Sequence, residues 1–160
     1  MQSEQLQFLM LSPEIMGSLL SLKVPDDEAH LITSNAKWIA EAAFMSESVT
    51  YGLFSGKNPA GLISFIDPRL MDQNDENKHF QGDCLYVWRL MIDQHHRRKG
   101  YGQSAIRFAQ SYAQLIGQKG VSLTTMDKAP LNALPLYQSM GFKATGRRLD
   151  DEIELVWRRP

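Results

Sequence analysis

Ten consecutive residues hold the densest chemistry in the chain: Asp93-Gln94-His95-His96-Arg97-Arg98-Lys99-Gly100-Tyr101-Gly102. Glycines let a backbone turn so that successive amides point into one concavity. Three adjoining cations add positive charge, and a helix beginning directly behind them adds its partial positive end. Such parts suit the gripping of a pyrophosphate or several phosphates; a basic loop before a helix is the plainer reading of a lone Gly-x-Gly. Two nucleotide motifs compete with this reading. Gly100-Tyr101-Gly102-Gln103-Ser104-Ala105 spells the G-x-G-x-x-A dinucleotide fingerprint, and Asp127 ends the next strand as that motif wants. In that motif, however, the glycines follow the strand almost at once, whereas here the polar stretch from Asp93 to Lys99 intervenes. A Walker A loop needs Gly-Lys-Ser/Thr after its glycines, and Gly100 and Gly102 are followed by neither.

The elements that must hold this loop read as mixed α/β. Leu6 to Leu11 reads as an opening strand, and Ser12-Pro13-Glu14 as a helix start with cap, first-turn proline and acid in place. A second helix is expected from Ser34 through Phe44. Val49–Phe54 and Ala60–Ile66, separated by Ser55-Gly56-Lys57-Asn58, carry a hairpin signature. Residues 67–83 form the one long loop candidate, and Cys84–Ile92 a strand that is apolar but for Arg89. Gly102–Gln118 is expected as a helix, with Ala105, Ala109, Tyr112 and Ile116 on one face. Val121–Met126 is a strand, a short helix runs up to Met140, and Phe142–Arg158 closes with two strands around Gly146–Asp151. The order βααβββαβαββ has no repeat and sets one strand–helix–strand unit late in an otherwise antiparallel pattern.

Downstream of the loop, Leu136-Tyr137-Gln138-Ser139-Met140-Gly141-Phe142 supplies a second motif. Arg97-x-x-Gly100-x-Gly102 resembles the (Q/R)-x-x-G-x-(G/A) loop of the Gcn5-related N-acetyltransferase (GNAT) superfamily, and the downstream segment its LY-x-x-x-GF run. Trp88-Arg89-Leu90-Met91-Ile92-Asp93 is similar to the branch with bacterial spermine/spermidine (diamine) acetyltransferases. The resemblance implies a mostly antiparallel sheet flanked by helices, with strands four and five splayed around acetyl-CoA. It implies that the pantetheine pairs with the backbone of Leu90, Met91 and Ile92. The pyrophosphate is expected on the amides of Arg98, Lys99, Gly100, Tyr101, Gly102 and Gln103, with Arg97 helping. A strand-four amide would stabilise the oxyanion of a tetrahedral intermediate. Tyr137, by itself readable as a core aromatic, matches the family tyrosine that protonates the departing thiolate. A phenol of pKa near 10 does this to a thiolate near 8.5 only when well placed.

Two departures from the pattern are visible. The asparagine usually found before the tyrosine is replaced by Pro130, with Lys128 as a substitute contact, and Pro135 falls inside the expected helix. Asn132 as N-cap, with 127–131 extended, would accommodate it. An amine must lose its proton before attack. Glu41, Glu152 and ordered water are alternative bases, and Trp88 stands where a family acid is found. Glu41, Trp88 and Glu152 are the candidate acceptor-side residues. His95 and His96 read as solvated or phosphate-proximal, and Cys84 as a small buried residue rather than an acyl carrier.

Composition bounds these expectations. At 160 residues, 43% apolar and 22% charged, residues 1–160 make one domain with a real core. No run approaches the roughly 18 apolar residues of a membrane span. MQSEQLQFLM lacks a basic flank or cleavage site, so no signal peptide is expected. Cys84, the single cysteine, excludes an internal disulfide or a Cys-rich metal site and fits a reducing cytoplasm. Residues 1–80 carry 5 Lys+Arg against 11 Asp+Glu, and residues 81–160 carry 12 against 7. The basic half suits an anionic cofactor and the acidic half a cationic acceptor, with Glu41, Asp72, Asp75 and Glu76 at its rim. The expected function is acetyl transfer from acetyl-CoA to a primary amine of a small molecule, a polyamine first. The alternatives are another amine (an aminoglycoside, an amino acid or a protein N-terminus) or a non-catalytic CoA-binding module. A homodimer is the candidate assembly, and neither metal, nucleic acid nor membrane is an expected partner.

Overall fold

The computed structural model describes residues 5–31, 33–72, 80–128 and 132–160. Its elements follow the predicted order: β1 (Leu6–Met10), α1 (Pro13–Leu20), α2 (Asn35–Ala43), β2 (Ser48–Ser55), β3 (Asn58–Ile66), β4 (Cys84–Ile92), α3 (Tyr101–Leu115), β5 (Gly120–Met126), α4 (Leu134–Ser139), β6 (Lys143–Leu149) and β7 (Glu152–Arg158). They form a mixed α/β fold with a seven-stranded, mostly antiparallel sheet in the order β1-β2-β3-β4-β5-β7-β6. The described residues divide into two compact units, one within Met1–Phe65 and Trp88–Ala105, the other within Ile66–Val87 and Ile106–Pro160.

The first unit is organised around a core of Leu19, Leu22, Trp38, Ile39, Phe54, Leu62 and Met91, contributed by α1, α2 and strands β2 to β4. Two buried polar clusters beside this core are matched by hydrogen bonds. The Trp38 indole donates to Ser64 Oγ at 2.6 Å, and Ser64 meets Thr50 Oγ1 at 2.6 Å. Buried Asn35 donates its amide to the carbonyls of Leu19 and Leu22, both at 3.0 Å, tying the start of α2 to the end of α1. Ser34 caps α2 by accepting from the Lys37 amide, whereas Ser12 precedes α1 without a side-chain cap bond. Where β3 meets the end of β4, Gly61 leaves room for hydrogen alone, because a Cβ there would collide with the Met91 carbonyl oxygen. The Asp93 amide donates to the Ala60 carbonyl just beyond, at 2.8 Å.

In the second unit β5 is the frame. It pairs antiparallel with β7 along its whole length, from Gly120↔Arg158 to Met126↔Glu152. Its parallel ladder with β4 runs from Cys84↔Gly120 only to Tyr86↔Ser122. The helix face that packs inward is Ala105, Ile106, Ala109 and Ala113 rather than the expected Tyr112 and Ile116, which are half-buried. The 67–83 segment contains a short 3₁₀ turn, Pro68–Leu70, initiated by Asp67. The start of α4 also differs from expectation. Ala133 is its N-cap, with Pro135 in the first turn, and Asn132 acts one residue earlier by accepting from the Leu134 amide at 3.0 Å.

Candidate active site

The loop after β4 is built by its first residue. Asp93 is buried, and its carboxylate accepts from the amides of Lys23 (2.8 Å) and His95 (3.2 Å), with His96 Nδ1 at 3.4 Å. Burial would raise its pKa, but these three donors outweigh burial and hold the carboxyl below its usual 3.8. A 3₁₀ turn, Gln94–His96, follows, and the His96 ring stacks with Tyr101 at 6.2 Å. Arg98 (φ 62°) and Gly100 (φ 78°) are then both left-handed. That conformation is free for glycine but costs an arginine on the order of 1 kcal/mol. It turns the backbone sharply into α3, whose first amides, those of Tyr101, Gly102 and Gln103, have no partner within the helix. Arg98 and Lys99 are exposed and take no ion-pair partner among the described residues. Turned amides, a 15-residue helix behind them and two cations without an ion-pair partner among the described residues give the loop the chemistry to hold an anion.

Arg97 is placed differently. Its guanidinium pairs with Glu28: Nη1 donates to Oε1 at 3.2 Å, and Nη2 lies 2.7 Å from Oε2 as an ion pair. On β4, Met91 is buried in the core while Leu90 and Ile92 are half-buried. Arg89, beside them, donates to Glu41 at 2.7 Å and lies over the ring of Trp88, 4.2 Å from its centroid. Glu41 also has Lys37 at 3.7 Å. The Arg89 hydrogen bond, helped by the charge of Lys37, holds the Glu41 carboxyl below its ordinary value of 4.5.

In the other unit, Tyr137 is buried on α4, its ring 5.9 Å from that of Phe142. Burial pushes its phenol up to about 12, and the negative charge of Glu152 adds to the effect. Glu152 in turn accepts from Thr124 Oγ1 at 2.6 Å, and Tyr86 Oη lies 3.3 Å from that hydroxyl. Lys128 is exposed, next to an Asp127 whose carboxylate takes Arg148 at 2.6 Å. Cys84 is fully buried, and desolvation pushes its thiol up to about 12, so it stays protonated and unreactive near neutrality. Pro130, Asp75 and Glu76 lie outside the described residues. Glu28 and the Asp93 side chain went unnoticed in the sequence. Asp93 was legible, since an Asp before a turn commonly caps it; Glu28 carried no local signal.

The profile of the Acetyltransferase (GNAT) family matches residues 14–142. The chain belongs to the GNAT family. Human N-acetyltransferase 8 is 32% identical over 122 residues, 76% of this GNAT chain and 43% of the relative. Human N-acetyltransferase 8B is 30% identical over 110 residues, covering 69% and 39%. The chain thus spans less than half the length of these curated relatives. Among solved structures, the PaiA N-acetyltransferase of Thermoplasma acidophilum, in complex with coenzyme A, superposes with a TM-score of 0.70 at 13% identity over 97% of this chain and 99% of that one. A variant of the spermidine N-acetyltransferase SpeG from Vibrio cholerae gives 0.69 at 15% identity, covering 96% and 94%. These likenesses establish the GNAT fold. Among the described residues, no helix is long and apolar enough to cross a membrane, and no His/Cys/Asp/Glu group is arranged to hold a metal ion.

Proposed function

We propose that this GNAT protein transfers the acetyl group of acetyl-CoA directly to a primary amine of a small molecule, with residues 1–160 acting as one catalytic domain. The observation that carries this is the β4–loop–α3 arrangement, in which left-handed Arg98 and Gly100 turn a basic loop into the open amides of a long helix. Acetyl-CoA would supply an activated thioester. The amides of Arg98 to Gln103 would hold its pyrophosphate, with Arg98 and Lys99 adding charge and Lys128 a further cationic contact. The backbone of Leu90, Met91 and Ile92 would align the pantetheine arm and direct an amide at the carbonyl oxygen. Tyr137 would return a proton to the departing sulfur. Its high pKa keeps the proton in place across the working range, and makes geometry rather than acidity the source of its effect. Deprotonation of the amine falls to Glu152, Glu41 or water. Glu41 held by Arg89 is a weak base, whereas Glu152 already bears on Tyr137 electrostatically.

A polyamine is the first acceptor to test, because the acidic first half of the chain, with Asp26 and Asp27 in one turn, favours a cation. One observation favours a second reading, an acceptor whose only cationic group is the reacting amine: Glu41 is already neutralised by Arg89. Release of CoA thiol, measured against spermine, spermidine, putrescine, a simple monoamine, an amino acid, an aminoglycoside and an N-terminal peptide, tests both. Turnover with none, despite CoA binding, would favour a non-catalytic CoA-binding module. A homodimer, and a cytoplasmic site of action, complete the proposal; sedimentation of the purified protein tests the former.

A further inference from the structure

The segment between α1 and α2 carries none of the loop's motifs, yet it holds the loop at two places. Lys23 is pinned in both directions: its amide donates to Asp93 Oδ1 at 2.8 Å, and its carbonyl accepts from the Gln94 amide at 2.7 Å. Farther along, in the 3₁₀ turn Asp26–Leu31, Glu28 takes the guanidinium of Arg97 in a fork of one hydrogen bond, Nη1 to Oε1 at 3.2 Å, and one ion pair, Nη2 to Oε2 at 2.7 Å. A hydrogen bond and a close ion pair to the same carboxylate together restrain where the guanidinium sits. The Arg97 Nε is buried and has no acceptor, so the side chain is not free to point its remaining donor at an incoming anion. The very next residue, Arg98, is the strained one, with φ 62°. A left-handed non-glycine residue persists only where its surroundings over-determine it. The fork immediately before Arg98 is a restraint of that kind.

We propose that Glu28 is a positioning residue for the cofactor loop: by gripping Arg97 it holds Arg98 in its left-handed conformation and so aims the following amides at pyrophosphate. The proposal rests on the reading of the protein as an acetyl-CoA-dependent transferase. It assigns Arg97 a role through the Glu28 fork rather than as a direct phosphate ligand. It also makes cofactor affinity depend on a segment far from the loop in sequence.

Glu28→Gln keeps the shape and removes the charge. Calorimetry should show CoA bound about tenfold more weakly, within the usual range of coupling between contacting residues. Turnover at saturating acetyl-CoA should be unchanged. S-acetylpantetheine, which lacks the pyrophosphate, should be used with an unchanged kcat/KM; an equal loss with both donors would mean a general structural defect and overturn the proposal. Arg97→Gln should weaken CoA binding similarly, and the two losses should not add in the double variant. Additive losses, or an unchanged or tighter CoA affinity in Glu28→Gln, would also overturn it, the last by showing that Glu28 merely competes for a phosphate-binding arginine. If Glu28→Gln does not fold, Glu28→Asp, which shortens the reach and keeps the charge, carries the same comparison between donors. Wild-type protein that fails to bind CoA would instead defeat the transferase reading, and is measured first.

Discussion

The loop after β4 and the segment around Tyr137 are ordered by opposite means. The loop is polar and largely exposed, and it is held by carboxylates: Asp93 on backbone amides and Glu28 on Arg97. Tyr137 is held by burial on α4 beside Phe142, with the negative charge of Glu152 acting on it. The first arrangement leaves amides and cations facing outward, ready for an anion from solvent. The second removes a hydroxyl from water and so protects its proton. In the proposed function, cofactor binding and proton transfer would therefore depend on different physical terms and should break separately.

The largest effect is expected at Gly100. Gly100→Asp forces a side chain onto φ 78° and adds a negative charge to the proposed phosphate concavity. Calorimetry should find CoA binding abolished, as it should for Gly102→Asp; unchanged affinity in either folded variant would remove the loop from cofactor binding. Next is Tyr137→Phe, which keeps packing and removes the donor. It should lower kcat by about 10- to 1000-fold, with CoA affinity nearly intact. Equal turnover would take Tyr137 out of the mechanism. Because the phenol loses its proton only as pH rises through about 12, no falling limb from Tyr137 should appear in a kcat profile below that pH.

Smaller changes test the acceptor side. The KM for spermidine should climb as ionic strength passes about 0.1 M, where exposed charges are screened beyond ~10 Å, with kcat little changed. Glu41→Gln removes an acid and uncovers Arg89, so it should raise the KM of a diamine more than that of a monoamine. A salt-independent KM across both would favour an acceptor without a second cation. The smallest effect concerns Asp93. Its folded pKa lies below the unfolded 3.8, so its contribution to stability is present above that value and is lost as pH falls through the lower folded one. Urea unfolding from about pH 5 down to about pH 3 should show this loss, and Asp93→Asn should flatten it.

Much of the fold is legible in the residues. Ser34, Gly56 and the Pro13 and Pro135 positions punctuate the chain through local backbone preferences, which need no distant partner. The element order therefore follows from the sequence, as does the placing of Gly100 and Gly102 between a strand and a helix. Tyr137 is legible through its motif. Its burial agrees with the plain reading of a core aromatic, whereas the influence of Glu152 on it arises from packing and is not legible.

The sequence by itself determined which residues were available for chemistry: a basic glycine loop, a tyrosine before Gly141-Phe142, and a chain divided into acidic and basic halves. Only the tertiary structure decided which charges remain free. Arg97 and Glu28 are 69 positions apart, and Arg89 and Glu41 48 apart, yet each pair is joined at 2.7 Å. Periodicity and propensity reach over a few residues, whereas ion pairing depends on chain folding that brings distant segments together. That folding removes Arg97 and Glu41 from the count of free charges and leaves Arg98, Lys99 and the first amides of α3 open.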